Sequence, residues 1–380
     1  MAASPGSTIT EHFATLADPR VERTKEHQLL ALLTIALCAI ISGADEWVAM
    51  EEYGKAKRAW FDTFLDLPSG IPSHDTFGRV FAALDPDQFQ RCFLAWIQSA
   101  VTLTDGEVIA CDGKMVRRSH DRGAGKAAIH MVSAWASANR LVLGQVAVDE
   151  KSNEITALPA LLALLMLKGC IVTIDAMGCQ TAIARTIIDR EADYVLALKE
   201  NHATLYHEVV HLFADAEATG FADYDHDAAE TMDGGHGRVE VRRYRTISDP
   251  ATMAHVDPAG EWAGLRSIGM VEAERREKGG AGTGTRERRY YLTSLTDAAT
   301  FGRAVRGHWG IENGLHWVLD IAFREDESRA RAGASAANLV VLRHIALNLL
   351  KKEATAKVGI KNKRLKAGWD EHYLLKVIAG

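Results

Sequence analysis

The sequence predicts an α/β protein: a mixed sheet flanked by helices, with a β-rich insertion and an N-terminal helical domain. Three observations carry this. Up to about residue 100, apolar residues recur at helical spacing between caps and breakers. From 107 to 198, short apolar runs of strand length alternate with helical stretches. From 301 to 322, Val305, Trp309, Ile311, Leu315, Val318, Leu319 and Ala322 return to helical spacing.

The elements follow in order. After a turn at Asp18-Pro19-Arg20, residues 27–42 read as an apolar helix stopped by Gly43. Its apolar run, 29–41, falls short of the roughly 20 residues that span a bilayer. Residues 47–65 read as an amphipathic helix with Lys55, Lys57 and Arg58. A loop at 68–72 precedes a helix at 76–84, capped by Ser73 or Asp75, and another at 86–103. This module is either a packing or dimerisation unit or a DNA-binding domain. Strands are expected at 107–119, 129–138 and 141–149, the last two joined by a tight Ala138-Asn139-Arg140 turn. A helix at 155–167, a strand at 170–174, a helix at 181–191 and a strand at 194–198 follow, then a helix at 202–214. Residues 215–235 are acidic and read as a solvated loop. Strand-like stretches at 238–247, 266–275 and 288–295 make the insertion, with KGGAGTG at 278–284 as a basic-flanked hairpin tip, an exposed turn or a phosphate contact. Residues 338–350 read as a buried helix. Beyond it Lys351, Lys352, Lys357, Lys361, Lys363, Arg364 and Lys366 read as a basic tail, solvated or touching DNA. The division is therefore 1–104, helical; 105–212, first part of the core; 213–300, insertion; 301–350, second part of the core; 351–380, tail.

Composition narrows the function. A net charge of −6 over 380 residues rules out a chain that binds nucleic acid by overall charge, so any such contact is local. Five scattered cysteines, with no C-x-x-C pair, argue against a cysteine zinc site and for a reducing cytosol. The polar start, MAASPGSTITEHF, lacks the pattern of a signal peptide. The expectation is a soluble, cytoplasmic protein.

Two acids end predicted strands: Asp112 in IACDG and Asp175 in IVTID. If those strands are neighbours, the acids meet at one edge, where open α/β sheets place ligands. Alternatively, Asp112 caps a turn before Gly113 and Asp175 caps the helix that follows. On the late helix, His308, Glu312 and His316 stand four apart and share a face; the plain alternative is a surface Glu312 paired with Arg303 or Arg306. Three converging carboxylates repel unless a cation joins them. Oxygen donors suit magnesium or manganese, and two such ions about 4 Å apart drive in-line displacement at phosphorus. A zinc reading of His308, Glu312 and His316 is weaker, because the spacing is not H-E-x-x-H.

Several segments point further: DPR at 18–20, GIPSHDTFGRVF at 70–81, IACDGKMVRRS at 109–119, TIDAMGCQ at 173–180, DYVLALKENH at 193–202, HWGIENGLHWVLDIAFRED at 308–326 and NLVVLRHIALNLLK at 338–351. On these the chain resembles insertion-sequence transposases of the Asp-Asp-Glu class, and within it the H-repeat-associated (ISAs-one) family, over about 18–351. The resemblance implies a ribonuclease H-like core with Asp112, Asp175 and Glu312 as catalytic acids and metal ligands, and Mg2+ or Mn2+ as cofactor. It implies DNA as partner, both the inverted ends of the element and the target, and a homodimer on DNA in the bacterial cytoplasm, associated with the nucleoid. Wider relatives carry Y-x-x-R-x-x-x-E-x-x-x-x-x-x-K around the last acid. Here those positions hold Val305, His308 and Leu319, so the DNA-contacting roles do not carry over. Candidate DNA contacts are Lys114, Arg117, Arg118, Lys199, Arg306, His308, Asn313 and His316. A catalytically inactive or domesticated DNA-binding protein and a plain metal-dependent nuclease remain as other readings. The geometric expectation is that Asp112 and Asp175 end adjacent strands and Glu312 projects toward them, with His308 and His316 flanking and Trp309 and Ile311 facing the core.

Overall fold

The computed structural model describes residues 7–120, 127–148, 154–235, 238–277 and 284–379. Six helices come first: α1 (Ser7–Phe13), α2 (Leu29–Ile41), α3 (Trp47–Ala56), α4 (Arg58–Phe61), α5 (His74–Ala83) and α6 (Pro86–Ala100). The helix expected over 47–65 breaks at Lys57, whose backbone leaves the helical region. The Ser73 hydroxyl accepts from the Thr76 amide at the start of α5, and Asp85 accepts from Asp87 and Gln88 ahead of α6, with Pro86 in the first turn.

The core then runs β1 (Val108–Met115), β2 (His130–Ala136), β3 (Leu141–Val148), α7 (Glu154–Leu164), β4 (Ile171–Ile174), α8 (Thr181–Ile188), β5 (Asp193–Leu198) and α9 (Ala203–Ala218). Next come β6 (His226–Gly235), β7 (Arg238–Ile247), α10 (Pro250–Val256), β8 (Ser267–Glu277) and β9 (Thr285–Thr293). The chain closes with α11 (Ala298–Ile311), α12 (Trp317–Ala322), α13 (Ser335–Lys352), α14 (Ile360–Trp369) and α15 (Glu371–Ala379).

The described strands form one sheet in the order β3-β2-β1-β4-β5-β9-β8-β7-β6. Antiparallel β3-β2-β1 followed by parallel β1-β4-β5 is the ribonuclease H-like arrangement. Alternation sorts its side chains. Ile109, Cys111, Val132 and Ala134 face α7 and α8, whereas Ala110 and Trp135 face Ile311 and Leu315 at the end of α11. Phe301, Ala304 and Val305 pack on Val108, Ile171 and Val195, so α11 lies across the centre of the sheet.

The strands of the β-rich insertion, 213–300, extend the core sheet itself, with β9 paired antiparallel to β5. Two expectations are corrected. The acidic stretch 215–235 is not a loop throughout. Its first residues finish α9, and 226–235 pair with β7 as an exposed edge strand. The stretch from 351 is not a tail. α14 and α15 pack into the same apolar cluster as α2, α5, α6 and α13, and Lys363 and Arg364 are buried. Arg364 donates to the carbonyls of Ile40 and Ala322 and pairs with Asp45; Lys363 donates to Leu350 and Glu353. These cations satisfy orphan carbonyls at helix C-termini, where the helix dipole also favours positive charge. The hairpin tip at 278–283 lies outside the described residues. No helix among the described residues is long and apolar enough to cross a membrane.

Candidate active site

The parallel register between β1 and β4 ends with Cys111 opposite Ile174. Asp112 and Asp175 are the next residues of the two neighbouring strands, and alternation turns both toward α11. The expected strand-end placement holds for Asp175 alone. β1 runs on to Met115 against β2, so Asp112 sits within a strand, opposite Ser133. Each acid also makes a local backbone bond, but Asp175 does not cap the helix at Thr181–Ile188, whose N-cap is Gln180. Asp112 Oδ1 accepts from the Gly113 amide at 2.9 Å, and Asp175 Oδ1 accepts from the Met177 amide at 3.1 Å, capping a 3-10 turn.

The third acid arrives on α11, capped at its start by Asp297. A continuous helix was expected through 322. Instead Glu312–His316 forms a π-helical turn between α11 and α12, a feature frequent at functional sites. Ile311 and Leu315 are fully buried, each contributing about 1.5–3 kcal/mol, which anchors the irregular turn. Glycines allow it to lie close to the sheet. A β-carbon at Gly307 would stand 2.8 Å from Val108, and one at Gly314 would stand 2.6 Å from Trp135.

That close approach brings Glu312 to Asp112. The His316 ring lies beside both, its Nδ1 at 3.5 Å from Asp112 Oδ2 and 3.7 Å from Glu312 Oε2. One ligand atom from each of Asp112, Glu312 and His316 lies within 4.8 Å of the others. Asp175 borders the same cleft, about 480 Å³, with Asp112, Glu312, His308, Lys199 and Trp309. Burial pushes the Asp112 carboxyl up to about 7; His316 opposes this, and the negative charges of Glu312 and Asp175 add to it. Glu312 is held below the usual carboxylate range, first by the neighbouring His316 imidazole. His308 contacts Thr173 Oγ1 through Nδ1 at 3.0 Å, and burial lowers its imidazole below the ordinary value.

Residues 100–349 match the family model described as "Transposase DDE domain", and residues 10–97 match "DDE_Tnp_1-associated". The chain belongs to the DDE transposase family. It is 40% identical to "Putative transposase YncI" of Escherichia coli O157:H7, covering 98% of this chain and 94% of that one. It is 36% identical to "H repeat-associated putative transposase YhhI" of Escherichia coli strain K12, covering 98% of each. Both the class and the H-repeat-associated group expected from the motifs agree with these matches.

A DDE transposase works with a divalent metal, and the residues of this cleft fit one. Asp112 and Glu312 offer hard oxygen atoms at mutual ligand distance with His316 beside them, and Asp175 lines the same cleft outside that group of three. The Asp112 carboxyl is raised first by burial and further by the charges of Glu312 and Asp175, and a dication in the cleft would favour its charged form. The zinc set weighed from sequence is not what assembles, since His308 bonds Thr173 and the cluster is Asp112, Glu312 and His316.

The expected DNA contacts of the transposase divide. Lys199 is exposed on the cleft rim, and Arg306 and Asn313 are exposed along α11 and the π turn. Arg306 pairs with Asp233 at 2.6 Å, and Asn313 Nδ2 donates to the Trp309 carbonyl. Arg117 is exposed beside Asp326, and Arg118 is exposed nearby. Two expected contacts turn inward. Lys114 pairs with Asp320 and with buried Glu325, and His316 is buried among the acids, so neither presents itself to a DNA backbone. Trp309 reverses the other way: the core was expected, yet the indole is exposed, while Ile311 is buried as expected. Sequence reasoning missed the His130–Glu154 pair at 2.6 Å beneath Gly113, and Tyr291 and Arg289 of β9 on the cleft wall. Only Arg289 gave a signal, as one basic flank of the hairpin.

Proposed function

We propose that this transposase cuts DNA at the ends of its insertion sequence and transfers the freed 3′-hydroxyl to target DNA, with Asp112, Asp175 and Glu312 as catalytic acids and metal ligands. The observation that carries this is the convergence of two adjacent-strand aspartates and a helix-borne glutamate on one cleft. Magnesium or manganese suits the carboxylate donors, and a bound pair of such ions activates the attacking oxygen and stabilises the leaving one.

The chain's own residues organise the rest. His316 braces Asp112 and Glu312 through Nδ1 from a buried position, holding two like charges side by side. His308, fixed by Thr173, stands on the cleft wall beside them. Lys199 on the rim, with Arg117 and Arg118 beyond β1, offers positive charge to phosphates entering the cleft. In the first step a water oxygen attacks phosphorus and the bond to the 3′ oxygen breaks. In the second the resulting 3′-hydroxyl attacks a target phosphorus and displaces the target's own 3′ oxygen. No covalent protein intermediate is required.

The helical segment 1–104 is a candidate DNA-binding module, 105–212 with 301–350 carries catalysis, and 213–300 extends the sheet beside the cleft. A homodimer on DNA would bring one acid cleft to each end of the element. Five free, buried cysteines suit the reducing cytoplasm, where the nucleoid is the target. The test is substitution of Asp112, Asp175 or Glu312 by alanine, read by end cleavage and gel shift. Cleavage should vanish with DNA binding retained; full cleavage by any one variant removes that residue from the site.

A further inference from the structure

His316 is the imidazole of the acid cluster, and at 6% exposure it is too deep to reach a DNA backbone. Its Nδ1 faces two carboxylate oxygens, Asp112 Oδ2 at 3.5 Å and Glu312 Oε2 at 3.7 Å. A nitrogen-to-oxygen hydrogen bond spans about 2.7–3.2 Å, and both contacts stand beyond that range. The buried Nε2 has no partner among the described residues, so no hydrogen bond there holds the ring proton on Nδ1. The second imidazole of the cleft is placed differently: His308 Nδ1 meets Thr173 Oγ1 at 3.0 Å.

The spacing around His316 suits a shared ion. Two ligands about 2.1 Å from one divalent ion stand about 3.0 Å apart at right angles and about 4.2 Å apart on opposite sides. Both Nδ1 distances fall between these limits, and one ligand atom from each of the three residues lies within 4.8 Å of the others. The fold fixes the arrangement from two sides. Asp112 is held within β1, while Glu312 and His316 open and close the π turn that fully buried Leu315 anchors.

We propose that His316 Nδ1, as a neutral nitrogen ligand, binds one divalent ion of the acid cleft together with Asp112 and Glu312. The proposal rests on the reading of this cleft as the metal site. It carries a selectivity. Magnesium keeps oxygen ligands and several waters, whereas imidazole nitrogen suits transition ions. A mixed nitrogen and oxygen set therefore favours manganese over magnesium more than three carboxylates would.

The test uses the full chain, without a histidine tag, and substoichiometric manganese. Bound ion is counted by loss of the free-ion electron paramagnetic resonance signal, and its nitrogen ligands are read by electron spin echo modulation. Wild type should show the modulation of a directly bound imidazole, and Asp112→Ala should lose it with the ion. His316→Gln should abolish the modulation and weaken manganese binding by at least about 10-fold, since loss of even an outer partner of a metal costs about 10- to 100-fold. Its preference for manganese over magnesium, measured by competition, should fall as well. His308→Gln should keep the modulation. The wild-type spectrum decides even if a variant fails to fold. Asp112-dependent manganese binding without imidazole modulation refutes the His316 assignment alone, as does modulation that survives His316→Gln or vanishes in His308→Gln. Absence of any Asp112-dependent binding refutes the reading of the cleft as the metal site, and the assignment with it.

Discussion

Gly314→Ala should cripple DNA cleavage with little loss of folding stability. The added β-carbon would stand 2.6 Å from Trp135 Cζ2 and 3.2 Å from Cε2 and Cη2. Carbon atoms at ease stand about 3.5–4.0 Å apart, so the overlap is about 1 Å. Trp135 cannot yield, being 1% exposed with the Lys351 ammonium 4.7 Å from its ring centroid. The π turn must therefore lift, and it carries Glu312 and His316 away from Asp112. Overpacking costs about 1–3 kcal/mol, and replacing a helical glycine by alanine returns about 1 kcal/mol; the melting temperature should barely move. A shift of this size at a catalytic group can cost about 100-fold in rate. The same reasoning ranks three controls. Gly307→Ala, 2.8 Å from Val108, should be nearly as damaging; Gly310→Ala, 3.2 Å from Trp135, should be mild; Gly359→Ala meets nothing within 4 Å and should be silent. Cleavage rates with magnesium, paired with gel shifts and thermal melts, decide it. Wild-type cleavage by Gly314→Ala, or greater damage from Gly310→Ala, refutes the close-approach account.

Cleavage should require magnesium or manganese, calcium should support binding without efficient turnover, and excess EDTA should abolish cutting; activity that persists in EDTA contradicts the two-metal mechanism. Lys114→Met should destabilise the fold by about 3–5 kcal/mol in urea unfolding, because it strips a buried ion pair from Glu325, itself 1% exposed; a loss under 1 kcal/mol would mean the pair is dispensable. Burial holds His344 neutral, down to about 3. Below an unfolded value near 6.5 only the unfolded chain gains this proton, so stability should fall as pH drops from 6.5 toward 3, by at most about 1.4 kcal/mol per unit. His344→Gln should flatten that part of the profile; an unchanged slope between pH 7 and 5 assigns the effect elsewhere.

Local pattern and motif were enough for much of this protein. Periodicity and caps placed α2, α5, α6, α7 and the strands that lead to Asp112 and Asp175, because helix and strand periods are written in neighbouring residues. The motif around 308–326 picked out Glu312 and its helix. Edge strand β6 escaped notice because, exposed and acidic, it has no apolar alternation to read. The fate of each charge and aromatic ring was decided only by tertiary structure. Lys363 and Arg364 look like a solvated tail until the ends of α2, α12 and α13 offer them carbonyls. Lys114 looks like a phosphate ligand until Glu325 meets it, and Trp309 looks like core until the π turn and the neighbouring cleft leave it outside. A buried charge is stable only beside its partner, and these partners lie up to about three hundred residues away in the chain. Sequence therefore specifies which groups need a partner, and only the folded chain determines which find one within the protein.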